Sequence, residues 1–429
     1  MLRRIDLRGF TGDLSEVLPR PETPTGGPVD VVRDILTAVA KRGDAAVREY
    51  TSRFDGVELE SLVVADAELA AAMERIEPDV QAALELAADR IAAYHQAQMP
   101  ADVMVEQPGV LIRGMHRAVE RAACYVPGGR AVYPSTVLMT AVPARVAGVE
   151  QIVVCVPPGP DGKVPDIVLA AAKIAGAHEV VSVGGAQAIG AVAHGTESIR
   201  PVDVIVGPGN IYVALAKQEV AGTVGVPSSF AGPSEVVVVA DGTDPADFAA
   251  VDVILQAEHG PDGLAWFVTW NDGFADEVTA SIERLVADAP RRAEIESTLG
   301  ASGMVVVTDS PEQAMAVSNF IAPEHLEIQT ADNEALVAMV RNAGAVFCGR
   351  YAPASLGDYV AGPSHVLPTN GTARFASALT VHDFMKDVHI VFVEQEGLEA
   401  MGDAVEALAG AEGLDAHAAS IRLRRGAER

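Results

Sequence analysis

Four short stretches combine residue types that metal and proton chemistry require. The first is Gln256-Ala-Glu-His259-Gly260, at the end of a predicted helix. Gln256 and His259 are three residues apart, so they project from one helical face and can both offer a lone pair to a metal. The second is Pro323-Glu324-His325, just before a predicted strand, where two general acid/base groups are adjacent. The third is Gly357-Asp358-Tyr359 with His365 nearby, in which Asp358 is a hard anionic donor suited to Zn²⁺ or Mn²⁺. The fourth is Glu412-Gly-Leu-Asp-Ala-His417, whose carboxylate is placed to cap the last helix. Singly, each also has a structural reading. A lone helical histidine is more often a packing group, a loop Glu beside a surface His is common, and Asp after Gly is a frequent turn.

Glycine turns add a second kind of signal. Gly207-Pro-Gly-Asn210 and Gly184-Gly-Ala-Gln187 each follow a predicted strand and open a helix, where backbone N–H groups can face phosphate. Neither matches GxGxxG, so spacing alone does not specify a dinucleotide. Tyr125-Val-Pro-Gly-Gly129 is a further turn, with an aromatic ring able to stack on a flat ligand.

The elements that must position these groups read as α/β. Residues 1–28 are rich in Pro and Gly (PRPETPTGGP at 19–28) and read as an arm. Helical periodicity starts near Asp30, and an alanine-rich helical region runs over 66–99, interrupted or restarted at Pro78. From about 120 to 240, strand-length apolar runs at 152–156, 180–183, 202–206 and 235–240 alternate with helices at 165–175, 187–193 and 211–220. A second series follows, with strands at 265–270, 304–308, 326–329 and 345–348 between helices. Alternation of this kind implies right-handed βαβ crossovers and parallel sheets covered on both faces. The two series suggest two related modules without a demonstrable repeat. Residues 350–379 read as a long functional loop, and 398–425 as two helical segments broken at 410–413.

Bulk properties narrow the function classes. The 429 residues exceed one ordinary core, so two domains are expected. A formal charge of −28 repels phosphate backbones and makes nucleic acid an unsuitable partner. Cys124, Cys155 and Cys348 are odd in number and lack CxxC spacing, as expected of free thiols in a reducing cytoplasm. No apolar run reaches membrane-span length, and the first residues do not read as a signal peptide.

Taken in order, the motifs resemble the histidinol dehydrogenase family. The stretches are YVPGGRAVYPSTVLM from Tyr125, VGGAQAIGA from Val183, VDVIVGPGNIYV from Val202, AGPSE from Ala231, QAEHG from Gln256, APEHLEI from Ala322, GDYVAGPSHVLPT from Gly357 and EGLDAHAASIRLR from Glu412. They cover nearly the whole chain. The resemblance implies four-electron oxidation of L-histidinol to L-histidine with two NAD⁺, through a bound aldehyde. It implies one Zn²⁺ per subunit on Gln256, His259, Asp358 and His417, with Glu412 and His417 reaching across a homodimer interface. Glu324 and His325 fall on the family's catalytic pair. Substrate contacts fall on Ser234, Gln256, His259, His325, Asp358, Glu412 and His417, with His365 a neighbour, and NAD contacts on Tyr125, Gln187 and Asn210.

The expected architecture is therefore α/β, with two Rossmann-like modules and an N-terminal arm and helical C-terminal tail that, in the family, embrace the dimer partner. The expected division is an arm over 1–25 and a first α/β domain from 26–120 and 236–380, carrying metal and catalytic residues. The remainder is a second α/β domain over 121–235, carrying NAD contacts, and a C-terminal helical tail over 381–429. Two other readings remain: a dehydrogenase of the same family acting on another small hydroxylated compound, and a metal-dependent hydrolase.

Overall fold

The structure, a computed structural model, describes residues 2–19, 28–128, 131–228, 232, 234–258 and 263–426. The chain opens with β1 (Arg3–Asp6) and continues through α1 (Val29–Arg42), α2 (Asp44–Asp55), α3 (Asp66–Arg75) and α4 (Pro78–Ala97). Pro78 occupies the first turn of α4, where its missing N–H costs no hydrogen bond, so of the two readings at this proline the restart holds. A hairpin of β2 (Val103–Gln107) and β3 (Val110–Ala118) follows.

The next stretch alternates β4 (Arg121–Tyr125), α5 (Pro134–Ala147), β5 (Gln151–Cys155), α6 (Asp166–Ala175), β6 (Glu179–Val181), α7 (Gly185–His194), β7 (Val204–Val206) and α8 (Ile211–Val220). Its strands form a parallel sheet in the order β6-β5-β4-β7. Both faces are covered, as a parallel sheet requires. Ala122 and Cys124 face one apolar core, packed by α3 to α6, and Ala123 and Tyr125 face another, packed by α1, α2, α7 and α8.

A second parallel sheet follows. It comprises β8 (Glu235–Ala240), α9 (Ala246–Ala257), β9 (Leu264–Thr269), α10 (Asp272–Ala287), α11 (Arg292–Ser302), β10 (Met304–Val307), α12 (Pro311–Ile321), β11 (His325–Gln329), α13 (Asn333–Val337), β12 (Ala345–Cys348) and the short α14 (Ala354–Tyr359). Strand order is β1-β10-β9-β8-β11-β12. The chain ends with β13 (Met385–Val393), α15 (Gln395–Ala411) and α16 (Asp415–Arg425).

The α/β class and both parallel sheets agree with the sequence reading, but three expectations need correction. The arm is partly a strand: β1 pairs in parallel with β10, from Arg3↔Met304 to Asp6↔Val307. Residues 29–97, grouped by sequence with 236–380, instead pack on the four-stranded sheet. Leu84 and Ile91 join the core of Val137 and Ile152, and Val32 and Val39 that of Ile189. Amphipathic periodicity shows that a helix must bury one face and not which sheet receives it. The tail is not wholly helical, because β13 pairs antiparallel with β3 along its full length. Its helices α15 and α16 are tied by Arg425, which reaches Asp403 at 2.6 Å. Among the described residues no helix is long and apolar enough to cross a membrane, and all three cysteines are free.

One interaction secures the turn after β7. Lys217, 1% exposed on α8, donates to the carbonyls of Gly207 (2.8 Å) and Ser228 (2.7 Å). Burial pushes its pKa down to about 8. Gly207 sits at φ +105°, and a Cβ there would lie 2.1 Å from the Tyr125 carbonyl oxygen, so only glycine fits. We predict that Lys217→Met, which strands both carbonyls, lowers stability at pH 7 by about 1–3 kcal/mol in chemical denaturation. The gap to wild type should widen from pH 8 to 10. In that window the unfolded lysine holds a proton that the folded one has released, so this group adds stability as pH rises.

Candidate active site

β8 and β11 are neighbours, with His325 opposite Val236, so Glu235 and Glu324 meet at the amino ends of the two strands. The two residues exchange hydrogen bonds. The Glu235 N–H donates to Glu324 Oε2 at 3.0 Å, and the Glu324 N–H donates to Glu235 Oε2 at 3.3 Å. Asn370 N–H donates to the other Glu235 oxygen at 3.0 Å. Burial first, then the adjacent Glu324, pushes Glu235 up to about 8, so near neutrality Glu235 keeps its proton.

His325 begins β11 and is buried. Its Nδ1 lies 3.0 Å from the Glu235 carbonyl oxygen, which can only accept, so Nδ1 carries a proton and Nε2 is the nitrogen left for chemistry. Nε2 faces Asp358 Oδ1 at 3.6 Å, and Nδ1 lies 3.5 Å from Glu324 Oε2. Phe347 stacks on the ring at 6.0 Å between centroids. Burial alone would lower the imidazole pKa, but Glu324 and Asp358 outweigh it and hold His325 well above its ordinary value.

Gln256 and Asp358 converge on this histidine from two helices. The Gln256 amide, in the last turn of α9, is 3.4 Å from His325 Nδ1. Its Oε1 is buried with no hydrogen-bond partner among the described residues. Such an oxygen is costly unless a ligand takes it up. Asp358 lies on α14, and its carbonyl accepts from His365 Nδ1 at 2.9 Å. Burial lowers the His365 pKa, and a neutral His365 then accepts at Nε2 from Thr136 Oγ at 3.1 Å. Thr136 is on α5, so His365 joins the loop after α14 to the other sheet's layer.

His259 lies outside the described residues. Ser234 immediately precedes β8, and its carbonyl accepts from Leu264 N–H at 3.1 Å. Glu412 and His417 are both exposed, on the α15–α16 hairpin. The capping alternative for Glu412 does not hold, since Leu414 occupies the N-cap of α16 and no side chain caps it. Among the described residues no three His, Cys, Asp or Glu side chains converge as a metal cluster. Within one chain, then, Gln256, Glu324, His325 and Asp358 come together and His417 does not join them.

The candidate cofactor residues lie elsewhere, at the carboxyl ends of the four-stranded sheet. Tyr125, Gln187 and Asn210 line one cavity of about 920 Å³ together with Phe54, Pro157 and Tyr212. Tyr125 ends β4, and its hydroxyl accepts from Gly185 N–H at 3.1 Å. The Asn210 oxygen caps α8 by accepting from the N–H groups of Tyr212 (3.0 Å) and Val213 (3.2 Å), which leaves its amide N–H groups to a ligand. Gln187 Oε1 is buried without a partner among the described residues. Sequence reasoning missed Glu235, which looks like one more acidic residue at the start of a strand. Its pairing with Glu324 needs the parallel register of β8 and β11.

Comparison with known proteins gives the same picture along the whole chain. A family model described as histidinol dehydrogenase matches residues 18–425. A histidinol dehydrogenase of Synechococcus sp. is 49% identical over 92% of this chain and 91% of its own length. One from Hydrogenovibrio crunogenus is 44% identical over 97% of this chain and 96% of its own. The crystal structure of histidinol dehydrogenase from Elizabethkingia anophelis superposes with a TM-score of 0.94 at 33% identity, covering 99% of this chain and 98% of that one. With a family model matched over residues 18–425 and relatives covered over nearly their full length, the chain belongs to the histidinol dehydrogenase family.

Proposed function

We propose that this chain oxidises L-histidinol to L-histidine, the last step of histidine biosynthesis, through an aldehyde that stays bound while two NAD⁺ are reduced in turn. The observation that carries this reading is the Glu324–His325 pair, dry and flanked by Gln256 and Asp358. Family membership leaves no support for the hydrolase alternative.

The orphaned Gln256 Oε1 and the nearby Asp358 carboxylate suit a divalent cation. Zn²⁺, one per subunit, would be held by Gln256, His259, Asp358 and His417 of the partner subunit, and a donor set without sulfur also suits Mn²⁺ or Co²⁺. The exposure of His417 and Glu412 supports donation across a homodimer, with the tail embracing the partner. A bound metal would supply a fixed grip on the substrate's amine and imidazole, and NAD⁺ in the cavity beside Tyr125, Gln187 and Asn210 would accept hydride. His325 can act as a base only with Nε2 unprotonated, and the two carboxylates oppose that, so the reading requires positive charge at Asp358.

In the first step His325 Nε2 takes the substrate's hydroxyl proton as the carbon-bound hydrogen leaves as hydride. Glu324 then takes a proton from a water whose oxygen adds to the aldehyde carbon, while His325 returns its proton to the aldehyde oxygen, giving the hydrate and freeing Nε2. His325 takes a proton from that hydrate as the second hydride leaves, and the carboxylic acid formed loses its remaining proton to water as the carboxylate. Ser234 and the partner subunit's Glu412 fit as further substrate contacts. Free thiols suit a reducing compartment, and we place the reaction in the cytoplasm.

The direct test is the yield of NADH per L-histidinol, with two expected; one would leave the aldehyde as product and overturn the four-electron path. His325→Ala should lower kcat by about 10²–10⁴-fold with metal content unchanged, and metal loss would sink its assignment as a base. Glu324→Gln should slow oxidation of the aldehyde more than that of the alcohol, whereas equal slowing would count against water activation. Inactive His417→Ala and His259→Ala proteins, mixed under conditions of subunit exchange, should regain part of the activity. No recovery with exchange demonstrated would place the whole site in one chain.

A further inference from the structure

β11 reads His325-Leu-Glu-Ile-Gln329, and its alternation is unusual for a central strand. Leu326 and Ile328 enter an apolar core, while His325, Glu327 and Gln329 share the opposite face, toward α9. Glu327 is 0% exposed and Asp252, on α9, is 6% exposed. Gln329 Nε2 bridges them, donating to Asp252 Oδ2 at 2.6 Å and to Glu327 Oε2 at 3.2 Å. The other Glu327 oxygen accepts from Ala354 N–H, the first residue of α14, at 3.1 Å.

Among the described residues no Lys, Arg or His pairs with either carboxyl group, so no cation offsets the cost of charging both. Burial, reinforced for Glu327 by Asp252, holds both groups above their ordinary values. An apolar pair of the same volume would fill the space without the desolvation cost. What the carboxyl pair adds is direction, and its three attachment points share one geometry. Asp252 lies one helical turn before Gln256 on α9, Glu327 lies on the same face of β11 as His325, and Ala354 lies one turn before Asp358 on α14.

We propose that Asp252 and Glu327 are positioning residues, whose shared hydrogen bonds lock α9, β11 and α14 in the mutual arrangement that sets Gln256, His325 and Asp358 around substrate and metal. The inference rests on the metal reading above. Partners one layer out from a metal ligand typically change affinity by about 10–100-fold when removed.

The test uses full-length protein. Zinc affinity is measured by competition with a chelator, beside KM for L-histidinol and the melting temperature of the zinc-stripped protein. Asp252→Ala should weaken zinc binding by about 10–100-fold and raise KM. Asp252→Asn should restore both to within about threefold, because its amide can donate to Glu327 and its oxygen can accept from Gln329. A lower melting temperature in Asp252→Ala with wild-type zinc affinity and KM would make the pair merely structural and overturn the proposal. So would an Asp252→Asn protein as impaired as Asp252→Ala. If Asp252→Ala does not fold, Gln329→Met removes only the bridging amide; a several-fold loss of zinc affinity is expected, and wild-type affinity overturns the proposal. Gln256→Ala separates the two readings. If it binds zinc like wild type, the ligand assignment fails, and the positioning role is judged on KM alone.

Discussion

The parallel pairing of β8 with β11 is the constraint on which the site depends. Its register brings Glu235 to Glu324, and their exchanged backbone-to-carboxylate bonds close the amino ends of both strands. The same contact presents the Glu235 carbonyl to His325 and so fixes which imidazole nitrogen is available. Burial, then the adjacent Glu324, favours the protonated form of Glu235. A residue to which the proposed reaction gives no step therefore governs the surroundings of both Glu324 and His325.

The remaining site elements attach to that pair through helix ends. α9 delivers Gln256 in its last turn, and α14 delivers Asp358. The carboxyl pair Asp252–Glu327 and the His365–Thr136 bond tie those helices to the two layers of the molecule. These contacts are polar and buried, and such networks confer geometry more than stability. Helix α14 has only six residues, too few to hold Asp358 in place by helical propensity alone.

Much of this was legible in the sequence. The strands β5 to β12 announce themselves as apolar runs between helices, and Pro78, Gly184 and Gly207 punctuate where turns or helix starts occur. The residues Gln256, Glu324, His325 and Asp358 were recognisable from motif order, and the structure groups them. The missed features are those that depend on distant partners. β1 is a strand because Met304–Val307 offers an open edge. β13 pairs with a strand roughly 270 residues earlier. The assignment of α1–α4 to the four-stranded sheet follows from which apolar face was vacant, a property of the assembled layers. Glu235 and Glu327 have significance only through register and burial, which no local pattern records.

The two sheets use opposite ends. Tyr125, Gln187 and Asn210 cluster at the carboxyl ends of β4, β6 and β7, where open α/β sheets usually receive ligands. Glu324 and His325 stand at the amino ends of β8 and β11, against that habit. The cavity and the Glu324–His325 pair are thus built by separate layers joined through the loop after α14. An enzyme that must hold one intermediate through two hydride losses faces a traffic problem: the spent dinucleotide has to leave while a reactive aldehyde stays. On the proposed reading, assigning the two tenants to different layers would let one berth empty and refill without unmooring the other.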